Sequence, residues 1–110
     1  MTREITITSE ILRNPARLRE AMKYYTVIIK NPSGTIINLE ELTPFFEGLK
    51  NNTNITFIDL SNNKIGALGA RVIATAIKQN HTLTSIDLSN NKIGVSGAVF
   101  IADILAKKTL

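Results

Sequence analysis

The side chains best equipped for chemistry here are one histidine, His81, two Asp-x-Ser pairs, Asp59/Ser61 and Asp87/Ser89, and the adjacent acids Glu40 and Glu41. None completes a reacting set. The sequence contains no second histidine and no cysteine, so a zinc site lacks its usual ligands and disulfides are excluded. His81 falls between a helical and an extended segment, away from the aspartates and serines, so a Ser-His-Asp arrangement has no basis. Neighbouring acids such as Glu40 and Glu41 diverge on a helix and cannot share a reacting group. Gly66 and Gly69, like Gly94 and Gly97, have the spacing G-x-x-G, but neither a dinucleotide fingerprint nor a P-loop is completed. They serve turn geometry and close packing. No cofactor, metal or catalytic residue is expected, and the chain reads as a non-enzyme.

What positions these residues is a repeat. Shifting residues 55–82 by 28 places them on 83–110 with 14 of 28 positions identical, nine of them consecutive, Ile58 to Gly66 on Ile86 to Gly94. Each unit has two halves with different periods. Ile55, Ile58, Leu60, Asn63 and Ile65 follow the spacing L-x-x-L-x-L-x-x-N-x-L, and Leu83, Ile86, Leu88, Asn91 and Ile93 repeat it. The Ile58/Leu60 alternation is that of a short strand with one buried face. Ala70, Ile73, Ala74 and Ile77 then recur at helical spacing. Asn63 and Asn91 are expected to be buried where the chain leaves the strand. An amide donates and accepts, so a stacked pair can satisfy the turns of adjacent units.

A degenerate unit precedes these two. Residues 25–30 look extended, and a helix is expected near 40–50 with Glu40 and Glu41 in its first turn and Pro44 near its start. Pro32-Ser33-Gly34 replaces the Leu-Ser-Asn segment, so the register is expected to slip by a few residues. Thr35 stands at the 28-residue offset from Asn63, which leaves that unit without a ladder asparagine. Asn14-Pro15 opens a helix with Leu18, Ala21, Met22 and Tyr25 expected inside. Residues 1–26 are read as an N-terminal helical cap and 27–110 as repeats: 27–54 degenerate, then 55–82 and 83–110.

Strand, asparagine turn and full helix in 28 residues, with Gly69-Ala70 and Gly97-Ala98 at the helix openings, resemble leucine-rich repeats of the ribonuclease-inhibitor-like class. The resemblance is strong over 55–110 and fainter over 27–54. It implies an α/β, right-handed solenoid with a parallel sheet on the concave side and α-helices on the convex side. Members include enzyme inhibitors, small-GTPase regulators, innate immune sensors and bacterial effectors, and they share protein binding on the inner sheet. Carried onto this chain, the partner-binding positions are Phe57, Asp59 and Ser61, then Ser85, Asp87 and Ser89, with Ile28 and Lys30 from the degenerate unit. Asp59 and Asp87 would form an acidic column about 5 Å apart, suited to a basic partner group. Phe57 is the single best candidate, because aromatics are enriched among interface hot spots.

The net charge of +4 raises a nucleic-acid reading, but the basic residues do not cluster beyond Arg13, Arg17 and Arg19 and Lys107-Lys108. The six aromatics are not interleaved with them as a stacking platform requires. No stretch is apolar enough for a membrane span or a signal peptide. The expectation is a protein partner, with enzyme regulation and nucleic-acid binding as alternatives. Abundant Ile, Asn and Lys suit an AT-rich bacterial genome and an effector, cytoplasmic or delivered to a host cell. Glycosylation sequons at Asn51, Asn54 and Asn80 are read as chance. Thr109-Leu110 resembles the opening of a further unit, so a longer array is expected, or else end-to-end pairing of two chains through the open strand 83–88.

Overall fold

The computed structural model describes residues 3–108; the side chains of residues 100 and 103–108, and the Thr109-Leu110 start of a further unit, lie outside the described part. Four strands, β1 (Glu4–Ile7), β2 (Thr26–Ile29), β3 (Phe57–Asp59) and β4 (Ser85–Asp87), form one parallel sheet in the order β1-β2-β3-β4. Between them run α1 (Ser9–Leu12), α2 (Pro15–Ala21), α3 (Leu39–Leu49) and α4 (Gly66–Gln79), and α5 (Gly94–Lys108) follows β4. No helix among the described residues is long and apolar enough to cross a membrane.

Each helix starts where local chemistry dictates. The Asn14 side chain accepts from the Arg17 N–H, and Pro15 fills the first position of α2, where its missing N–H costs nothing. Asn38 and Glu41 form a reciprocal capping box at α3, with bonds of 2.9 and 3.2 Å. Pro44, expected near the start of α3, lies inside the helix in its second turn, with its ring on the exposed side. There Glu40 loses the helical partner of its carbonyl, which water can replace at an exposed position. Helix α4 has no side-chain cap; it begins at Gly66, whose φ of 70° only glycine adopts cheaply.

One face of the sheet makes the core. Val27, Ile29, Ile58 and Leu60 are buried with Phe45, Phe46, Leu49, Ile73 and Ile77 from α3 and α4. Phe45 and Phe46 meet edge to face at 5.5 Å. Ala70 and Ala74 lie in a second apolar cluster with Ile101 of α5. A Cβ at Gly97 would overlap Ile93 and stand 3.2 Å from Ala70 Cβ, so the glycine is what lets α5 close on α4. Gly69 relates to Ile65 in the same way, which explains the repeated Ile-Gly-x-x-Gly.

The strand spacing is not uniform. Ile86 pairs with Ile58, 28 residues apart, whereas Ile58 pairs with Val27, 31 apart, and Val27 with Ile5, 22 apart. The helices keep the shorter interval, since Phe45 and Leu49 take the buried places of Ile73 and Ile77. The degenerate unit therefore carries three extra residues (31 − 28) in the connection through Pro32 to Asn38. Residues 1–26 are not helical throughout: Glu4–Ile7 is an edge strand, the helical part is split into α1 and α2, and Tyr25, expected on the inner stripe, lies beyond the end of α2 and is 50% exposed.

Buried amides join the units. Asn91 Oδ1 accepts from the Asn63 and Ile65 N–H groups at 2.7 and 3.3 Å, while its Nδ2 donates back to the Leu60 carbonyl at 2.8 Å and to Leu88 at 3.0 Å. Asn63 Nδ2 donates to the carbonyls of Ile29 and Leu60 at 2.8 and 3.0 Å. The degenerate unit is not without a counterpart. Asn31, at an offset displaced by the longer connection, accepts from the Ser9 N–H at 2.8 Å and donates to Ser9 Oγ at 2.9 Å. A second amide pair lies at the other end of the strands. Asn80 is fully buried, donating to the Leu49 and Asn52 carbonyls and accepting from Thr82 and Leu83, and Asn52 donates to Met22 O. An Asn80 so enclosed cannot carry a glycan in the folded chain.

Replacing Asn63 by Ala strands buried groups on two neighbouring units. Asn63→Ala is expected to lower unfolding stability by about 1–3 kcal/mol, read as a shift in the urea midpoint. An unchanged midpoint would show that the amide bridge carries no stability.

Candidate functional site

The face of the sheet opposite the core is built by the alternate strand residues, and the pairing sets them in rows. Glu4, Thr26, Phe57 and Ser85 form one row; Thr6, Ile28, Asp59 and Asp87 form the next. Continuing the register puts Lys30 beside Ser61 and Ser61 beside Ser89. All the face residues expected from the sequence, Phe57, Asp59, Ser61, Ser85, Asp87, Ser89 and Lys30, thus belong to one surface. Lys30, Ser85 and Ser89 are exposed, and the other four are partly covered. Glu4 and Thr6 were missed, although the Glu4-Ile5-Thr6-Ile7 alternation signals a strand with Ile7 inside.

The two Asp-x-Ser pairs make identical small turns. Asp59 Oδ1 accepts from the Ser61 N–H at 2.9 Å and from its hydroxyl at 2.7 Å; Asp87 Oδ1 does the same with Ser89 at 3.0 and 2.7 Å. One oxygen of each carboxylate is thereby occupied in closing the strand end, as in an Asx-turn. Among the described residues no cation forms an ion pair with either aspartate; the four ion pairs present lie among α1, α2 and α3 and the chain that follows them. Ile28↔Asp59↔Asp87 is a side-by-side row, so the two negative charges stand on adjacent strands, roughly one strand spacing of about 4.8 Å apart. Their second oxygens are left for a partner or for water.

Beside this row, a depression of about 290 Å³ is lined by Ile28, Lys30, Ile36, Asp59 and Ser61, with Ile36 left 48% exposed. A larger cleft of about 540 Å³ lies on the helical side between α2 and α3, over Leu18, Met22 and Pro44, away from every candidate face residue. Among the described residues no three His, Cys, Asp or Glu side chains converge as a metal site. His81 is exposed in the connection after α4, apart from both Asp-Ser turns.

The turn beyond each strand carries left-handed residues at alternate positions, Asn62, Lys64 and Gly66 in one unit and Asn90, Lys92 and Gly94 in the next. Asparagine tolerates this region, but lysine has no such preference. The buried bonds of Asn63 and Asn91 hold the lysines there. Both lysines are exposed.

The Ser89 backbone N–H, followed by the Ser89 hydroxyl, holds the Asp87 carboxyl below its usual range. A depressed folded value contributes stability that is present above the ordinary carboxylate range, near pH 4, and is lost as pH falls through the folded value. In Ser89→Ala the hydroxyl bond is gone and the N–H remains, so Asp87 is expected to titrate at higher pH than in the parent, by NMR of its carboxyl carbon. An unmoved midpoint would mean the hydroxyl does not bond the carboxylate in solution.

Comparison with known families agrees with the repeat. Residues 51–74 and 79–102 each match the family model described as Leucine Rich repeat. No curated protein matches the chain. The matched segments are the two units that build β3–α4 and β4–α5, and over them the chain is similar to leucine-rich repeats.

Proposed function

We propose that this chain is a protein-binding scaffold and not an enzyme, with the face carrying Phe57, Asp59 and Asp87 as its recognition surface. The observation that carries the reading is the alignment of these side chains on the sheet face opposite the core, with two adjacent carboxylates that form no ion pair among the described residues. Helices of 14 and 15 residues in units 28 residues apart support the ribonuclease-inhibitor-like class, with the sheet on the inner, concave side. Like charges on adjacent strands repel, and a basic group of a partner relieves that cost. Phe57 supplies apolar area next to them, and Lys30 offers a single opposite charge across the strands, which fixes the orientation of a partner with one acidic and several basic groups. The partner that fits is a protein segment exposing an arginine or lysine beside an apolar side chain.

Affinity capture with the immobilised chain tests this. Phe57→Ala is expected to weaken retention of a captured protein by roughly 30-fold, the size of a hot-spot loss of about 2 kcal/mol. Asp59→Lys with Asp87→Lys should abolish it. Lys78→Glu, on the exposed side of α4, should leave it unchanged. Retention that survives the face variants and falls with Lys78→Glu would move the binding surface to the helices.

A further inference from the structure

The three extra residues between β2 and α3 reshape the rim of the sheet face. Ile37 takes the buried place of Ile65, so Ile36 before it stands where the two regular units carry the exposed lysines Lys64 and Lys92. The bend that leads to Ile36 is braced. Asn31, itself tied to Ser9, donates to the Thr35 carbonyl at 3.0 Å and accepts from the Gly34 N–H at 3.0 Å. Gly34 makes the bend with a φ of 80°, which a side chain would strain. Insertions in repeat proteins gather on one face, often the binding face. A braced loop also presents its side chains without an ordering cost at the moment of binding. Here it sets Ile36 as one wall of the 290 Å³ depression, whose other sides are Ile28, Lys30, Asp59 and Ser61.

We propose that this depression receives one aliphatic side chain of an extended partner segment, whose basic residue two positions away settles between Asp59 and Asp87. The inference rests on the protein-binding reading of the face and adds to it the residues that the face selects. The volume falls just below the range of small-molecule sites, about 300–1,000 Å³, and suits a single side chain. Lys30 and Asp59 border it with opposite charges, and among the described residues neither forms an ion pair. A charged occupant is attracted by one and repelled by the other. An aliphatic occupant buries area on Ile28 and Ile36 and leaves both charged heads in water. The acids then fix what lies beside it. Ile28, Asp59 and Asp87 form one row across the strands, so from Ile28 the two carboxylates stand about 4.8 and 9.6 Å away. In an extended segment the next side chain on the same face comes about 6.6–6.8 Å further on. A segment crossing the strands along this row therefore sets its next residue between the carboxylates, where one cation serves both and relieves their repulsion.

A phage-displayed library of random peptides, panned on the immobilised full chain, supplies the probes. Enriched sequences are expected to carry Leu, Ile, Met or Val two positions from Arg or Lys. In one such peptide, synthesised and followed by fluorescence anisotropy, Ala in place of the aliphatic residue should weaken binding at least roughly tenfold. Ile36→Lys restores the residue that both regular units carry at that place, so it spares the fold, checked by circular dichroism. It should weaken the selected peptide to a similar degree and add little to the loss already caused by the alanine peptide. Asp59→Asn with Asp87→Asn should remove the preference for the basic residue and keep that for the aliphatic one. Binding that falls with Phe57→Ala and with the aspartate variants but not with Ile36→Lys would overturn this inference and leave the face as the recognition surface. Enrichment of no peptide would also overturn it, because a linear segment is what the depression requires. Peptides indifferent to every one of these variants would overturn it together with the reading on which it rests.

Discussion

A single buried amide governs how one unit sits on the next. Where the chain leaves β3 it must turn within a few residues towards α4, and the turn leaves peptide groups that no strand can satisfy. The Asn91 side chain takes two of the N–H groups freed at the turn after β3 and returns its own donors to carbonyls on both units. A buried unpaired peptide group costs about as much as a lost hydrogen bond, so few other side chains are tolerated at this place. With these bonds in place the turn tolerates left-handed lysines, and with the turn fixed the next helix starts at a glycine and lies close to its neighbour. The repeated string from Ile58 to Gly66 is thus one device with several parts, which is why all nine of its residues recur together.

How much of this could be read from the sequence follows from what the spacing encodes. The 28-residue offset carried the strand, the asparagine turn and the helix of the last two units, because identical residues there face identical neighbours. The same offset aligns Asn52 with Asn80, the second amide pair, which lies outside the leucine-rich pattern itself. The degenerate unit was harder. Its helix keeps the offset while its strand does not, since three extra residues in the connection change the register of one and leave the other alone. Asn31 could not be found by counting for that reason; its role is fixed by where the longer loop brings it. Residues 4–7 alternate as a strand should, but nothing in so short a segment says that it pairs with β2. Lys64 and Lys92 in left-handed conformation were not legible at all, because lysine has no preference of its own for that region.

The candidate site was legible to the same degree as the strands that hold it. Alternation alone assigned Phe57, Asp59 and Ser61 to the outer face once Ile58 and Leu60 were placed in the core. What alternation could not show is how the acids are used. Each aspartate gives one oxygen to the serine two residues on, and this closes the strand end in both units. Part of the acidic column therefore does structural work, and only the remaining oxygens face outward.

This division bears on where specificity can reside. In a parallel stack of identical units every outward residue stands beside its own copy, so repetition that benefits the core also sets aspartate beside aspartate. The face can distinguish one partner from another only at positions where the units differ. Along the first row those are Glu4, Thr26, Phe57 and Ser85, and along the second Thr6 and Ile28 stand against the paired acids. Phe57 is the sole aromatic among them. On the reading proposed above, the repeated carboxylates attract a basic group without selecting which protein carries it. Selection then falls to Phe57, Ile28 and Lys30, the residues that the repeat does not copy.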